Sequence, residues 1–455
     1  MAVSYVVIPK RTLVRRPPVC SLKRVACSMT FFPSEVLDDA AKLTGFIERK
    51  RVLTATRLVS TLAFWQGDCL GYSDIAAEIA LRHGKDVTKQ SVHEKLEGAK
   101  AASFFEALTR QALQEGRAFR HRPVLKLNGV GDIFVADSSS LALSKSLAQC
   151  LPGSGGSDDV AAIKIHGLIN MSRQQFARLK LSDGTTSDHS EKAAHALILK
   201  ESDLIIRDMG YFDIADLKAL EQGGRFYLTR VPVSTKIFAD INGNPINLWA
   251  EIAASRRFVF DRAIKISAEN VATRLVALRL PRWKWQQRLV DLRKEKGRGL
   301  TAIEKAQAKW NLMITNLAPA QASADMLQVV YSWRWQIELA WKAFKSVLEI
   351  GCVKSATCKS VVLAFIWARL LCAVVMMSVR SIAMHASREE IGIIVWFRRL
   401  APQLGAIRDL LRTEKWLALA RLLTKLAFKH CRAEKRHRNS TLEKIRSFAD
   451  LGPYS

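Results

Sequence analysis

An ordered series of strand-like and helix-like segments begins near residue 122 and constrains the fold more than any other feature. Three successive apolar or alternating segments are separated by turn residues, at positions 131–139, 161–171 and 175–184. A helical segment, a short apolar strand, a second helix and a further strand follow, at positions 189–200, 203–211, 213–222 and 225–231. This β-β-β-α-β-α-β order predicts an α/β fold with a mixed sheet flanked by helices.

The region before the sheet has the spacing of helices, and positions 72–96 have the layout of a helix-turn-helix. Gly84 falls in the predicted turn, and Thr88 is placed to cap the second helix. That helix would carry four side chains suited to DNA contacts: Lys89, Gln90, His93 and Lys95. A plain helical hairpin fits the same pattern, so both interpretations stay open.

Residues 232–310 interrupt the regular order with irregular, partly period-two segments. Positions 274–298 contain nine Lys or Arg and two acids, with Trp283 and Trp285 among them. Positions 311–317 then have the pattern of a strand that returns to the sheet. We therefore predict a β-rich insertion at about 232–310 within the domain that contains the sheet.

Two long helices are predicted downstream, at positions 321–349 and 361–379. The second is long enough to span a membrane, but Arg369 lies near its middle, where a bilayer would impose a cost of about 2.5–3.5 kcal/mol. The sequence offers no companion span. A helix buried in a large protein core is the better interpretation.

The net charge is +28, from 70 Lys and Arg against 42 Asp and Glu. Such an excess opposes compact folding through self-repulsion, and an extended polyanion is the simplest partner that would neutralise it. Ribosome association or an anionic membrane would also explain the charge, so charge alone leaves the partner open. The eight cysteines lack the paired spacing of zinc ligands. They indicate reduced thiols in a cytosolic protein.

The segment YSWRWQIELAWKAFK, at positions 331–345, contains the strongest chemical pattern. On a helix, four of its side chains would lie within roughly 60° of one another: Tyr331, Arg334, Glu338 and Lys345. A carboxylate between two basic residues could form an exposed ion-pair stripe. The surrounding aromatic residues instead indicate a mostly buried helix, where such a row is costly unless it binds something.

This row resembles the helix motif of the insertion-sequence-four (IS-Four) family of DDE transposases, and it matches that motif without a gap. Two upstream blocks resemble the same family in the same order, VADSSS with Asp137 and IRDMGYF with Asp208. The resemblance extends from about residue 30 to about residue 380 and is concentrated in the three blocks. It implies a cut-and-paste transposase with an RNase H-like core and the catalytic acids Asp137, Asp208 and Glu338.

The resemblance also implies a cofactor, two Mg²⁺ ions, for which Mn²⁺ could substitute. Two ions about 3.5–4 Å apart would activate a water molecule and stabilise the leaving 3′ oxygen. Carboxylate oxygens suit Mg²⁺, so Asp137 would bridge the ions while Asp208 and Glu338 each hold one. Three further residues would hold DNA phosphates near the cut: Tyr331, Arg334 and Lys345. Related enzymes hold a flipped base with a tryptophan of the insertion, which makes Trp283 and Trp285 candidates by location.

The predicted domain order is a basic arm, either disordered or an over-extended start, followed by three folded regions. These are a helical DNA-binding region, the RNase H-like catalytic domain and a basic helical region, so the boundaries are 1–28, 29–121, 122–380 and 381–455. The implied partners are double-stranded DNA, as terminal inverted repeats and target, and a second copy of the chain in a homodimer. No membrane partner is implied, and the expected location is the cytoplasm, in association with the nucleoid.

Two alternatives remain at this stage. One is a nuclease on the same fold that cannot join strands, which the sequence does not exclude. The other is a non-catalytic, transposon-derived DNA-binding protein, which the intact acid triad disfavours.

Overall fold

Nine strands form one mixed sheet in the computed structural model of the protein, and helices cover both faces. The structure describes residues 33–47, 52–65, 71–118, 127–155, 160–232, 238–254, 258–267, 269–351, 358–387 and 390–430. The predicted basic arm at 1–28 therefore lies outside the described residues, as does the end of the predicted C-terminal region.

Among the described residues, five helices precede the sheet: α1 (Ser34–Leu43), α2 (Ala55–Ala63), α3 (Tyr72–His83), α4 (Lys89–Glu97) and α5 (Ala99–Ala118). The predicted turn between α3 and α4 is present. Gly84 ends α3 in the left-handed conformation with φ 58°, which glycine adopts at little cost. The Thr88 side chain caps α4 by accepting a hydrogen bond from the backbone N–H of Ser91.

The first five strands are β1 (Ile133–Ala142), β2 (Ala162–Asn170), β3 (Gln175–Asp183), β4 (Leu204–Arg207) and β5 (Phe226–Arg230). The first three pair antiparallel, whereas β4 and β5 run parallel to β1 on its other side. The crossovers contain α6 (Lys192–Ala196) and α7 (Ile214–Gln222). The order β3-β2-β1-β4-β5 is that of an RNase H-like core, which confirms the predicted mixed sheet.

Residues of β1 alternate between two separate hydrophobic cores. Ile133 and Val135 face the core formed with the long helices, whereas Phe134 and Ala136 face the other core. All four are nearly inaccessible to solvent, so the strand is buried on both faces. This burial fixes the register of β1 against its neighbouring strands, and therefore the position of the residues that follow Ala136 along the strand.

The second half of the sheet and its connections comprise β6 (Phe238–Ala239), α8 (Leu248–Ala254), β7 (Val259–Ile266), β8 (Val271–Arg279), α9 (Arg282–Lys296), α10 (Ala302–Ala308) and β9 (Trp310–Thr315). The returning strand predicted at 311–317 is β9, which pairs antiparallel with both β5 and β8. Because β9 joins the two halves, the sheet is continuous. Residues 232–310 also contain three helices, which their period-two segments do not indicate.

The remaining helices are α11 (Ala324–Ser332), α12 (Trp335–Ser346), α13 (Lys359–Ser387), α14 (Ile393–Leu400), α15 (Leu404–Arg412) and α16 (Trp416–His430). By length and composition α13 could cross a membrane, but 89% of its apolar window is buried inside the protein. Its Arg369 donates a hydrogen bond of 2.6 Å to the Trp65 carbonyl just after α2. Helix α13 is therefore a core helix whose one central charge is satisfied by a neighbouring helix end.

The single helix predicted at 321–349 is wrong, because the chain forms α11 and α12 with a break between them. The N–H of Arg334 bonds to the Tyr331 carbonyl, and the N–H of Ile337 bonds to the Arg334 carbonyl, which are three-residue steps instead of the four-residue steps of an α-helix. No glycine or proline marks this break in the sequence. Trp333 lies at the break and is 1% exposed, so tertiary packing favours the tighter turn.

Candidate active site

Asp137 and Asp208 lie side by side at one edge of the sheet. Strands β1 and β4 are parallel with Val135 opposite Ile206, so two residues further along each strand the chain reaches the two aspartates. Asp208 directly follows β4, where a short 3₁₀ turn begins. The structure therefore places these two predicted acids at neighbouring positions.

Glu338 reaches the same edge from α12. Gly167 on β2 pairs with Asp137 on β1, and a Cβ atom at Gly167 would lie 2.6 Å from the Trp341 ring of α12. The absence of a side chain thus lets α12 pack directly against β2. Glu338 lies one turn before Trp341 and shares its side of the helix. Glycine at this position therefore sets the distance between the glutamate and the sheet.

Burial raises the pKa of the Asp137 carboxyl from 3.8 to about 6. Hydrogen bonding to the Ser138 backbone and the Arg334 charge lower the pKa, whereas Glu338 and Asp208 raise it further. Each of these charges is therefore close enough to Asp137 to act on it. The charges of Glu338 and Asp208 therefore repel that of Asp137, although the three carboxyls are not close enough in this conformation to share one metal ion.

Two residues of the helix motif are bonded to the acids. The Tyr331 hydroxyl donates a hydrogen bond of 3.1 Å to Asp208 Oδ1, and Arg334 Nη2 lies 2.6 Å from Glu338 Oε1. Burial alone would lower the pKa of Arg334, but Tyr331 and the three acids outweigh burial and raise it. The guanidinium is thus the counter-charge of the cluster in this conformation.

Lys345 lies two turns after Glu338 on α12. Burial lowers the pKa of its ammonium group, while the charge of Asp137 opposes this effect. Lys345 is therefore near enough to Asp137 to interact with it. No described acid forms an ion pair with Lys345, and its charge can meet a phosphate.

The donor set of the cluster fits a hard divalent cation, because carboxylate oxygens are the ligands such ions prefer. In this conformation, however, Glu338 pairs with Arg334 and Asp208 accepts a hydrogen bond from Tyr331. Among the described residues, no three Asp, Glu, His or Cys side chains are gathered closely enough to hold a metal ion. Metal binding would therefore require Glu338 to separate from Arg334.

The aromatic residue of the second block anchors the turn that follows Asp208. Tyr211 is 3% exposed, and its ring lies 6.1 Å from the ring of His195 and 5.8 Å from the Arg207 guanidinium. Burial, then Arg207, lowers the pKa of His195 to about 3, which keeps the imidazole neutral. The buried Tyr211 ring anchors the 3₁₀ turn and thereby fixes the position of Asp208 just before it.

The two candidate tryptophans of the insertion lie on α9 in different environments. Trp283 is 64% exposed, with Lys284 5.3 Å from its ring. Trp285 is partly buried, with Lys309 5.6 Å from its ring. Trp283 is therefore the more accessible of the two.

Three residues near the acids were missed by sequence reasoning. Arg230 ends β5, and Arg288 of α9 is close enough that its pKa is lowered to about 10 by burial and by the Arg230 charge. Trp335 follows Arg334 directly and is 57% exposed, unusual for so large an apolar side chain. A basic residue at the end of an apolar strand, as in FYLTR, was the only sequence signal for Arg230; Arg288 had none beyond the general charge.

The chain is similar to several known proteins. Residues 128–375, more than half of the chain, match the family described as "Transposase DDE domain". The transposase for insertion sequence element IS231F of Bacillus thuringiensis subsp. israelensis is 23% identical over 393 residues, covering 80% of this chain and 81% of that protein.

A second relative is the transposase for insertion sequence element IS1151 of Clostridium perfringens, 22% identical over 397 residues, covering 81% of this chain and 84% of that protein. The cryo-EM structure of the piggyBac transposase synaptic complex with hairpin DNA is 9% identical, with a TM-score of 0.44, covering 95% of this chain and 89% of that one. Its likeness is looser than that of the sequence relatives. The match over residues 128–375, which contain all three acids, identifies the chain as a member of the DDE transposase family.

Proposed function

We propose that this transposase cleaves and joins DNA strands at a centre formed by Asp137, Asp208 and Glu338. The observation that carries the proposal is their convergence: three carboxyls from β1, the end of β4 and α12 lie close enough to shift the pKa of Asp137. Clustered, partly buried carboxylates are costly without a cation, which is typical of a metal site.

The metal in this proposal is Mg²⁺, with Mn²⁺ as a substitute and two ions per site. When bound, the ions would activate a water molecule or a 3′ hydroxyl and stabilise the leaving oxygen. Asp137, at the centre of the group, would contact both ions. Asp208 and Glu338 would each hold one.

Tyr331, Arg334 and Lys345 would hold the scissile phosphate. In the free protein Tyr331 and Arg334 are bonded to the acids. When metal binds the carboxylates, a phosphate would replace them as the hydrogen-bond acceptor of Tyr331 and Arg334. Arg334 has the geometry for this exchange, because a guanidinium can bind two phosphate oxygens at once. Its Nε is buried and has no hydrogen-bond partner in the structure, and is thus available to a ligand.

The proposed substrates are the terminal inverted repeats of an insertion sequence and a target duplex, bound by a homodimer in the cytoplasm, at the nucleoid. The relatives are transposases for insertion sequence elements, and the net charge of +28 suits a polyanion. Trp283 and Trp285 stay proposed as stacking partners for a flipped base. The exposed Trp335, next to Arg334, is a further candidate because bases stack on accessible aromatic rings.

The test pairs a gel shift without metal with a nicking and strand-joining assay in Mg²⁺, both on a duplex that contains the element's end. Glu338→Ala should reduce nicking and joining by about a thousandfold or more, equivalent to roughly 4 kcal/mol of barrier. End binding should persist or tighten, because the substitution removes a negative charge near a phosphate. The exposed Asp325→Asn on α11 removes one negative charge as a control and should leave both readouts unchanged.

Lys345→Ala should instead weaken end binding by about tenfold, with some cleavage surviving, because a phosphate contact is lost while the acids remain. Loss of binding with full cleavage of the residual complex in Glu338→Ala would contradict the proposed division of roles. Strand joining separates this proposal from a nuclease without transfer. A pre-cut end with a free 3′ hydroxyl should be joined to plasmid DNA, and nicking without any joined product would favour the nuclease.

A further inference from the structure

Helix α9 contributes no buried side chain to the protein. None of its 15 residues is buried, although in sequence the helix lies between β8 and β9 of the central sheet. It contains six Lys or Arg and two acids. A helix that neither packs in a core nor balances its charge gains little stability from the rest of the protein. Its sequence is therefore suited to binding another molecule.

The strand registers place α9 at the same edge of the sheet as the catalytic acids. The parallel strands β4 and β5 both end at the edge where Asp137 and Asp208 lie, whereas β1 continues past Asp137 to Ala142. Strand β9 runs antiparallel to β5, with Met313 opposite Arg230, so Trp310, its first residue, extends past the end of β5 at that edge. Helix α9 is bound to this point, because Arg288 Nη1 donates a hydrogen bond of 3.0 Å to the Trp310 carbonyl.

Arg288 connects the helix electrostatically to the active site. Its pKa is lowered to about 10 by burial and by Arg230, and Tyr331 opposes this effect. Tyr331 is the residue whose hydroxyl bonds to Asp208. Within the described part of the chain neither Arg288 nor Arg230 forms an ion pair with a carboxylate, so both charges are free to attract a phosphate between Tyr331 and α9.

We propose that the exposed basic side chains of α9 bind the phosphodiester backbone of the same DNA duplex whose strand is cut at the acids. This inference rests on the proposed function and adds a second, sequence-independent contact surface to it. The surface consists of exposed basic side chains: Arg282, Lys284, Arg293, Lys294 and Lys296. At about 1.5 Å per residue the helix is roughly 22 Å long, and at about 3.4 Å per nucleotide it spans roughly six phosphates of one strand.

The salt dependence of DNA binding tests this surface directly. Each neutralised phosphate contributes a slope of about −0.9 to a plot of log affinity against log salt. Arg293→Gln with Lys294→Gln should therefore make the slope shallower by up to about 1.8, and should weaken binding at low salt. Both side chains are exposed, so the melting temperature should not change.

A matched control removes two exposed charges elsewhere, with Lys200→Gln and Lys218→Gln. Lys200 precedes β4 and lies near the opposite edge of the sheet, and Lys218 is on α7 and its side chain is 50% exposed. The control has the same net charge as the α9 variant, so a general charge effect would shift both equally. The proposal expects a shallower slope in the α9 variant alone. Equal slopes in the two variants would overturn it.

The two proposals fail in different ways. Wild-type protein that binds DNA without salt dependence, or not at all, would remove the proposed function. Steep salt dependence in the wild type that persists unchanged in the α9 variant would remove only the α9 surface. Hydroxyl-radical footprinting gives a second readout, since the α9 variant, which removes two charges, should lose protection of about two nucleotides on one strand.

Discussion

Two arginine–carboxylate pairs, one in the second half of the sheet and one on helix α12 at the catalytic edge, use the same chemistry differently. In the second half, Arg274 on β8 donates to Asp261 through Nε at 2.8 Å and Nη2 at 2.6 Å. Its Nη1 donates to the carbonyls of Leu317 and Ala322. The guanidinium is 8% exposed and every one of its nitrogens is bonded to the protein. Such a pair fixes the structure, because four of the five N–H donors of Arg274 are bonded to the protein.

At the catalytic edge, Arg334 contacts Glu338 through Nη2 at 2.6 Å, while its Nε is buried and has no hydrogen-bond partner. The guanidinium is 20% exposed and lies 5.9 Å from the Tyr331 ring. Buried donors are normally satisfied, and an exception indicates a site for a ligand. The comparison therefore distinguishes a closed structural pair from an open pair whose partners can be exchanged for phosphate and metal.

The largest difference in stability should come from breaking the closed pair. Arg274→Ala should lower the free energy of unfolding by about 3 kcal/mol, at the low end for a buried pair because Asp261 is 31% exposed. Arg334→Ala should cost less, and added Mg²⁺ should restore its stability by replacing the lost positive charge. Urea unfolding with and without Mg²⁺ measures both effects. Restoration of Arg274→Ala by Mg²⁺ would remove the distinction between the pairs.

A second effect concerns the charge of Asp137. Its folded-state pKa of about 6 lies above the unfolded value of 3.8, so the folded state binds more protons between these pH values. The stability of the metal-free protein should therefore fall as pH rises from 4 to 6 and stay low above pH 6. Asp137→Asn removes this cost and should stabilise the metal-free protein at pH 7.5 by up to about 3 kcal/mol.

The gain from Asp137→Asn should shrink to about half at pH 5, and it should vanish only well below pH 3.8, where the carboxyl is neutral in both the folded and the unfolded state. Urea unfolding at pH 7.5 and pH 5 in the presence of a chelator measures this trend. A gain that does not depend on pH would show that the variant acts through packing instead of charge.

The smallest expected effect tests whether the open pair restrains metal binding. Arg334→Ala should raise the affinity for Mn²⁺ in the absence of DNA by about tenfold, or roughly 1.4 kcal/mol. The reason is that Glu338 is released and a nearby positive charge is removed. The titration can be followed by the electron paramagnetic resonance signal of free Mn²⁺.

The control is Arg262→Ala, which breaks the exposed Arg262–Glu251 pair in the second half of the sheet, where the distance is 2.6 Å. It should leave the Mn²⁺ affinity unchanged. Weaker Mn²⁺ binding in Arg334→Ala would mean that the arginine supports the metal site instead of competing with it.

Local patterns determined much of the fold and the composition of the candidate site. The order of strands and helices, the cap at Thr88 and the buried character of α13 follow from hydrophobic period and capping chemistry, which act over a few residues. The resemblance through Asp137, Asp208 and Glu338 led to the family that residues 128–375 match. Their assignment as metal ligands stays a prediction.

Only the tertiary structure decided how these residues meet. The helix breaks at Arg334 although no glycine or proline lies there. The break forms because Trp333 packs into the core. The need for glycine at position 167 follows from the packing of α12 against it. The place of Arg288 near the active site follows from the position of α9 at the edge where Asp137 lies. Local patterns encode which face of a segment is apolar, whereas contacts between residues far apart in sequence depend on how those faces pack together.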